Sequence, residues 1–194
     1  MKRHDTRPLF ASPARWLAEI RKVKETHVKI PIRVEPSEEA APAVEYRWDA
    51  DTEILSAQLA TRASGQGMSG SVELEGADGS WLILDIAAGR INGVEVAVWP
   101  EVQKRSSLVP PTAIEDARVS VPARTSQPDV AAMEVEVPLM AEADEAERVF
   151  HFRLSGAKRA RTLRFARDLL LEVDRTNHLV GLWMLNVPPF PVQS

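Results

Sequence analysis

The chain has 194 residues, of which 44% are hydrophobic and 27% are charged, and its formal net charge is −4. This composition is ordinary for a globular protein and supplies a core for one large domain or two small ones. The absence of cysteine excludes disulfides, thiolate nucleophiles and cysteine-ligated metal sites. It also favours a reducing compartment, and no apolar run has the length of a signal peptide or a membrane span. The sequence therefore predicts a cytoplasmic protein without a membrane partner.

Charge is distributed unevenly along the chain. Residues 1–33 contain nine Lys or Arg and three Asp or Glu, whereas residues 34–100 contain three and twelve. A basic arm beside an acidic body favours pairing between the two within one molecule. The alternative is an exposed basic surface that meets an acidic partner.

A helix is predicted in an N-terminal arm that covers residues 1–26. Ser12 can cap the first turn, and Pro13 stands where its missing amide is not needed. Apolar residues then recur at helical spacing, namely Trp16, Leu17, Ile20 and Val23. These signals predict a helix over 13–25 whose apolar stripe packs against the rest of the chain.

Alternating apolar and polar residues predict a first β unit over 27–100. Its strands are expected at 28–34, 44–48, 54–59, 71–75, 81–86 and 91–99. Pro31 marks the first of them as an edge strand, because proline cannot donate a hydrogen bond to a neighbour. Residues 101–117 contain two adjacent prolines and little periodicity, so they are predicted to form a linker.

A second β unit is predicted over 118–188, followed by a proline-rich tail at 189–194. Its strands are expected at 118–123, 133–137, 148–154, 161–165, 169–173 and 179–187. Residues 159–175 can also be drawn as a helix with one apolar face. We favour strands there because 169–173 matches 82–86 of the first unit in sequence pattern.

The two units repeat the same order of features. Ile91 and Gly93 match Leu179 and Gly181, which stand 88 positions later. We therefore predict a mainly β fold, α+β at most, in which one unit of five or six short antiparallel strands occurs twice. The two units are expected to pack about a pseudo-twofold axis, because a single unit would bury only a marginal core. The N-terminal helix completes the predicted fold.

Each unit also places an acidic turn after a strand, and later an aliphatic strand that ends in an acid before a glycine-centred strand. This order resembles the DUF2283 family of small bacterial proteins, whose pattern begins YDxxxDxLY and ends vDxDxxGrlvGIEI. The first unit matches that pattern at Tyr46, Asp49, Leu55, Asp85, Gly89, Gly93 and Glu95. The second unit keeps Glu172, Asp174 and Gly181, but it has Leu182 and Trp183 in place of the family's Ile-Glu. The resemblance implies a partner-binding or antitoxin-like role and no established activity.

Residues suited to catalysis or metal binding do not form a recognisable motif. The four histidines, His4, His27, His151 and His178, lack the spacing of a metal site. The acidic turn at 49–53 lacks the glycine and glutamate of a calcium loop, which favours a simple turn. Asp85, Glu95 and Glu172 are the candidate carboxylates of a cleft between the two units. We predict no catalytic residue, no cofactor and no metal site, and the sequence leans against an enzyme.

The strongest candidate interaction surface is a basic segment near the second unit's centre. Its charged residues are Lys158, Arg159, Arg161, Arg164 and Arg167. Its counterpart in the first unit, residues 71–75, is acidic, so the two strands could lie close together and attract each other. The alternative is that the basic strand faces an acidic patch on another subunit. Both are favoured over nucleic-acid binding, because the acidic body weakens association with phosphate. Phe190, between prolines in the tail, is a candidate for docking in an apolar groove.

Three functional hypotheses follow from these features. The first is a non-enzymatic interaction or regulatory module, with an unidentified protein partner and a homodimer as an open alternative. The second is an antitoxin-like or nucleic-acid-binding regulator that uses the basic segments. The third is a small-molecule binder or hydrolase with carboxylates in the cleft between the units.

Overall fold

The computed structural model describes residues 29–122, 130–157 and 159–191. Within these residues the chain forms fourteen β-strands and no helix. The strands are β1 (Arg33–Pro36), β2 (Val44–Asp49), β3 (Ile54–Leu59), β4 (Ser69–Glu75), β5 (Trp81–Ala87), β6 (Arg90–Val98), β7 (Val102–Lys104), β8 (Ile114–Ser120), β9 (Val130–Glu136), β10 (Met140–Ala143), β11 (Phe150–Arg153), β12 (Arg161–Ala166), β13 (Leu169–Val173) and β14 (Leu179–Met184). The mainly β prediction is confirmed. The helix predicted at 13–25 lies outside the described residues.

The strands belong to one curled, mixed sheet that forms a half-barrel. Its main path runs β7-β10-β11-β14-β13-β12-β8-β6-β5-β4-β9. β1 pairs with β8, and the β2–β3 hairpin joins the sheet through β6. The segment for which a helix was the alternative to strands contains β12 and β13.

Two groups of five strands in this sheet have the same pairing order. The N-terminal set runs β2-β3-β6-β5-β4, and the C-terminal set runs β10-β11-β14-β13-β12. In each set a glycine lies opposite an acid on the neighbouring strand. Gly93 is opposite Asp85, and Gly181 is opposite Glu172.

The prediction of two antiparallel units packed about a pseudo-twofold axis is wrong. β8 pairs with β12 and also bridges to β6, so it joins the two sets into one sheet. β9, from the predicted second unit, extends the N-terminal set, and β7, from the predicted linker, extends the C-terminal set. All three of the pairs β8–β12, β4–β9 and β7–β10 are parallel. Sequence alternation fixes the face that each side chain takes, but it does not specify the partner strand.

Both sets contribute to one hydrophobic core on the inner face of the sheet. Leu55 and Leu84 of the N-terminal set are fully buried. The ring of Trp99, just after β6, has its centroid 5.1 Å from that of Phe150 and 5.9 Å from that of Phe152. These contacts cross from one set to the other, so each set completes the burial of the other's apolar face.

Local sequence accounts for the tight turns between strands. Ala88 and Gly89 connect β5 to β6 with φ angles of 49° and 75°. Two consecutive left-handed residues form the type I′ turn that matches the twist of a hairpin. Between β10 and β11, the carboxylate of Asp144 accepts the backbone amides of Arg148 at 2.7 Å and Val149 at 2.8 Å. This short acidic side chain supplies hydrogen bonds that the turn backbone lacks.

Tyr46, the only tyrosine in the chain, connects β2 to the C-terminal set. Its hydroxyl lies 2.9 Å from the carbonyl oxygen of Leu185 and 3.1 Å from that of Asp168. Burial raises the pKa of Tyr46, and the negative charge of Asp168 raises it further. The hydroxyl therefore remains protonated, and able to donate its hydrogen bond, to a higher pH than an exposed tyrosine.

We expect Tyr46 to ionise in the native protein only well above the ordinary tyrosine pKa of about 10. Because its folded-state pKa is the higher one, the stability that it contributes is complete below pH of about 10 and is lost as the pH rises further. Tyrosinate has a distinct ultraviolet absorbance, so an alkaline titration reports this side chain alone. The urea-unfolded chain is the control and should titrate near pH 10. If Tyr46 of the folded protein also ionised near pH 10, that result would contradict the buried hydrogen bonds of its hydroxyl.

Candidate functional site

A groove of about 450 Å³ opens beside the middle of β8. β8 pairs with β12 through Ile114–Asp116, whereas it meets β6 only at Ser120. The groove lies alongside residues 116–119, between these two contacts, and β3 and β12 also contribute to its walls. It is therefore a direct consequence of the way in which β8 joins the two strand sets.

Four arginines from four different segments line this groove, which we call the arginine groove: Arg62, Arg90, Arg118 and Arg164. Arg118 forms an ion pair with Glu39, and the Arg164 guanidinium lies 3.6 Å from the Asp116 carboxylate. The hydrogen bond and charge of Arg118 lower the pKa of Glu39, so this carboxyl is ionised at neutral pH.

The other two arginines, Arg62 and Arg90, form no ion pair within the described residues. The groove therefore contains four guanidinium groups and two carboxylates, and its net charge is positive.

Apolar side chains lie between the charged groups of the groove. Leu59, Ile91 and Phe165 line it together with the arginines. Ile91 and Phe165 are buried, so packing holds the small part of each side chain that faces the groove, and half-buried Leu59 adds to this apolar surface. The volume lies in the range of small-molecule sites, which combine apolar walls with a few charged groups that orient the ligand. The lining is thus suited to an anion that also has an apolar portion.

No family model matches this sequence, and no curated protein matches it. The resemblance to the DUF2283 family stays a prediction. In the described part of the chain, no helix has the length and hydropathy needed to cross a membrane.

No three acidic or histidine side chains among the described residues are placed to hold a metal ion, and His4 and His27 lie outside this part. The acidic turn at 49–53 forms a simple Asx turn, in which the Asp51 amide donates to the Asp49 carboxylate at 3.0 Å.

The basic segment does not approach residues 71–75, so the expected attraction between these two strands is wrong. β12 lies between β13 and β8, and its acidic partners are on β8. The Arg161 guanidinium donates to Glu115 at 2.9 Å and to the Asn177 side chain at 2.9 Å. Arg164 pairs with Asp116 and lines the groove.

The rest of the basic segment is divided between exposed and undescribed residues. Arg159 and Arg167 are exposed, and neither forms an ion pair within the described residues. The backbone amide of Arg167 donates to the carbonyl of Pro42, which belongs to the groove lining. Lys158 lies outside the described residues.

The three candidate cleft carboxylates do not converge. The Asp85 carboxylate accepts a hydrogen bond from the side-chain amide of Asn92 at 3.1 Å, and the Glu95 carboxylate accepts one from the Ser56 hydroxyl at 3.0 Å. Both belong to the N-terminal set, whereas Glu172 belongs to the C-terminal set. None of the three lines the arginine groove. The groove between the sets is basic where the sequence suggested an acidic cleft.

Glu172 instead forms a cluster with His151 and Trp183. His151 Nε2 lies 3.1 Å from a Glu172 oxygen, and the Trp183 indole donates to the other oxygen at 2.9 Å. The His151 and Trp183 rings stack with centroids 4.0 Å apart, and Glu142 lies 3.7 Å from the other ring nitrogen. Burial raises the pKa of Glu172, but the hydrogen bonds from His151 and Trp183 outweigh it and hold the pKa below its ordinary value.

Gly181 leaves the space that this cluster occupies. A Cβ at position 181 would collide with the Glu172 carboxylate and lie 3.3 Å from His151 Nε2. The equivalent Gly93 leaves space for the Gln58 amide in the same way. The glycine that sequence comparison found in both units is therefore explained by a polar side chain lying across the backbone of the neighbouring strand.

We expect Gly181→Ala to destabilise the protein by about 1–2 kcal/mol, because the methyl group displaces Glu172 from its charge-assisted hydrogen bonds. The folded-state pKa of Glu172 is lowered, so this stabilisation is present above the unfolded pKa of about 4.3 and is lost as the pH falls below it. The difference in unfolding free energy between the native protein and the variant should accordingly become smaller at acidic pH.

Urea unfolding across a pH series measures this difference. Gly156→Ala is the matched control, because a Cβ there meets no atom within 4 Å and the change should be neutral or slightly stabilising. An equal effect of the two substitutions would contradict the role of Gly181.

Proposed function

We propose that the protein is a non-enzymatic binding module whose arginine groove binds a small anionic molecule with an apolar portion. The observation that carries this proposal is the presence of two guanidinium groups, Arg62 and Arg90, that have no ion-pair partner within the described residues and border an apolar floor. Arginine binds carboxylates and phosphates through paired, charge-assisted hydrogen bonds.

The arrangement of the other two arginines supports the same reading. Arg118 and Arg164 each pair with an acid, Glu39 and Asp116, and these ion pairs restrict their side chains before a ligand arrives. Pre-positioned side chains lose less conformational entropy on binding. A ligand anion in the groove would then meet the two unpaired guanidinium groups of Arg62 and Arg90 together with the two paired ones.

The groove contents favour binding over chemistry. Its hydroxyl side chains, Ser37, Thr61 and Ser64, have no histidine beside them among the lining residues. A nucleophilic hydroxyl requires such a base within hydrogen-bond reach. The cytoplasmic location favoured by the cysteine-free composition remains part of this proposal.

A small anion also suits the site better than nucleic acid. Arg161 and Arg164 of the basic segment are paired with Glu115 and Asp116, so these acids would oppose a phosphate backbone. In the groove, by contrast, Arg62 and Arg90 have no ion-pair partner within the described residues, so a compact anion there meets two guanidinium groups that no acid neutralises. The second proposal is the antitoxin-like role that the DUF2283 resemblance implies. Arg159 and Arg167 favour it, because both are exposed and could contact an acidic partner.

The probe that tests the proposal is 8-anilinonaphthalene-1-sulfonate, an anion with an aromatic body whose fluorescence rises on binding. We expect saturable binding that weakens with salt, and roughly a tenfold loss of affinity in the double variant Arg62→Gln/Arg90→Gln. The uncharged analogue N-phenyl-1-naphthylamine should bind the native protein and the variant alike.

The double variant Arg47→Gln/Arg175→Gln is the matched control, because both arginines are exposed, lie outside the groove and change the net charge equally. Equal losses in the two double variants would show a general charge effect and contradict the groove as the site. A thermal melt of each variant verifies that it is folded.

A further inference from the structure

A second cavity, of about 320 Å³, lies at the opposite end of the β2–β3 hairpin. We call it the aromatic cavity, because Trp48, Trp99, Phe150 and Phe190 line it. Leu59, at the end of β3, borders the arginine groove, whereas Glu53, just before β3, borders the aromatic cavity. Six strand residues at about 3.3 Å each separate the two sites by roughly 20 Å.

The tryptophan rings of this cavity are held in place by their polar edges. The Trp48 indole donates to the carbonyl of Pro188 at 2.9 Å, and the Trp99 indole donates to that of Glu53 at 2.8 Å. The two indoles stack with centroids 5.6 Å apart, and Phe190 meets Trp48 edge-on at 5.1 Å. Phe190 of the proline-rich tail thus packs against its own chain, and it completes one wall of the cavity.

Carboxylates stand at the rim of these rings. Glu53 is the last acidic residue of the β2–β3 turn, and Glu147 is the last acidic residue of the β10–β11 turn. Glu147 pairs with Lys104 at 2.9 Å, whereas Glu53 forms no ion pair within the described residues. The acidic residues of the two turns are Asp49, Asp51, Glu53, Asp144, Glu145 and Glu147. The cavity therefore combines two half-buried indole rings and the exposed Phe190 ring with one carboxylate, that of Glu53, that is not neutralised within the described residues.

We propose that the aromatic cavity binds a lysine or arginine side chain from a basic segment of a partner protein. A cation is attracted to the face of an aromatic ring, and tryptophan is the strongest such ring. The aliphatic stem of lysine or arginine would contact the apolar wall, while the charged end meets the Glu53 carboxylate. The charge of the rim selects a basic occupant over an acidic or an apolar one.

This site is independent of the arginine groove in both position and charge. The groove attracts anions, and the cavity attracts cations at the far end of the same hairpin. A partner could therefore occupy the cavity whether or not the groove is filled, and substitutions at one site should leave the other unchanged.

The probe is an acetylated tetralysine amide, added to the full chain and followed through the NMR signals of the Trp48 and Trp99 indole N–H groups. We expect saturable shifts, and roughly a threefold to tenfold weaker affinity in Glu53→Gln. Trp48→Phe should weaken binding by a similar factor, and its thermal melt verifies folding. Glu45→Gln, which removes an exposed carboxylate from the same hairpin, should bind as the native protein does.

Two further comparisons decide the outcome. A tetranorleucine amide of equal size should bind weakly, and Arg62→Gln/Arg90→Gln should bind tetralysine normally. Saturable binding that depends on Glu53 but not on Glu45 supports the cavity. Equal loss in both glutamate variants, equal binding of the uncharged peptide, or the absence of saturable indole shifts would overturn it.

Discussion

The pairing of β8 is the interaction on which the rest of the structure depends. This one strand forms a parallel ladder with β12, an antiparallel ladder with β1 and a single bridge to β6. It therefore connects two strand sets that have the same internal order but no other backbone ladder between them within the main path of the sheet. Because both sets contribute side chains to one core, the β8 connection also fixes how the two apolar faces meet.

The arginine groove follows from that connection. A strand that meets β12 at one end and β6 at the other leaves a gap between them, and side chains from four segments enter it. Two of the four guanidinium groups, those of Arg118 and Arg164, are paired with carboxylates. The aromatic cavity at the opposite end of the β2–β3 hairpin has the reverse polarity, with glutamates at its rim. Opposite charges at two distant sites are compatible with a protein that holds two different partners at once.

Much of the fold could be predicted from sequence pattern, and the reason is physical. The short aliphatic runs at 82–86 and 169–173, each interrupted by one acid and bounded by turn residues, predicted strands because their length and pattern are typical of a buried strand. Repeated glycines at positions 93 and 181 pointed to equivalent strands, and both glycines leave space for a neighbouring polar side chain. Trp183 stands where the first unit has Glu95, and the two side chains have different surroundings: Trp183 is only 5% exposed and stacks on His151, whereas Glu95 accepts a hydrogen bond from Ser56.

The strand partners and the site could not be predicted in the same way. Parallel pairing of β9 with β4 joins segments far apart in the chain, and no local pattern specifies such a contact. Arg62 and Arg90 are single charges in a loop and at a strand start, so nothing in the neighbouring sequence marks them. The segment from Lys158 to Arg167 has five positive charges within ten residues, yet two of them, Arg161 and Arg164, are paired with acids on β8. Charge density along a sequence is a weaker guide than charge that converges from separate segments.

The central claim is that β8 makes the two strand sets one cooperative structure, and native-state hydrogen exchange tests it most directly. Amides of β5 and β6 in the N-terminal set, and of β13 and β14 in the C-terminal set, should all exchange through the same global unfolding, with one free energy and one dependence on denaturant. A set whose central amides exchange through a separate opening, at a markedly lower free energy, would contradict the claim. That result would show two independently stable units.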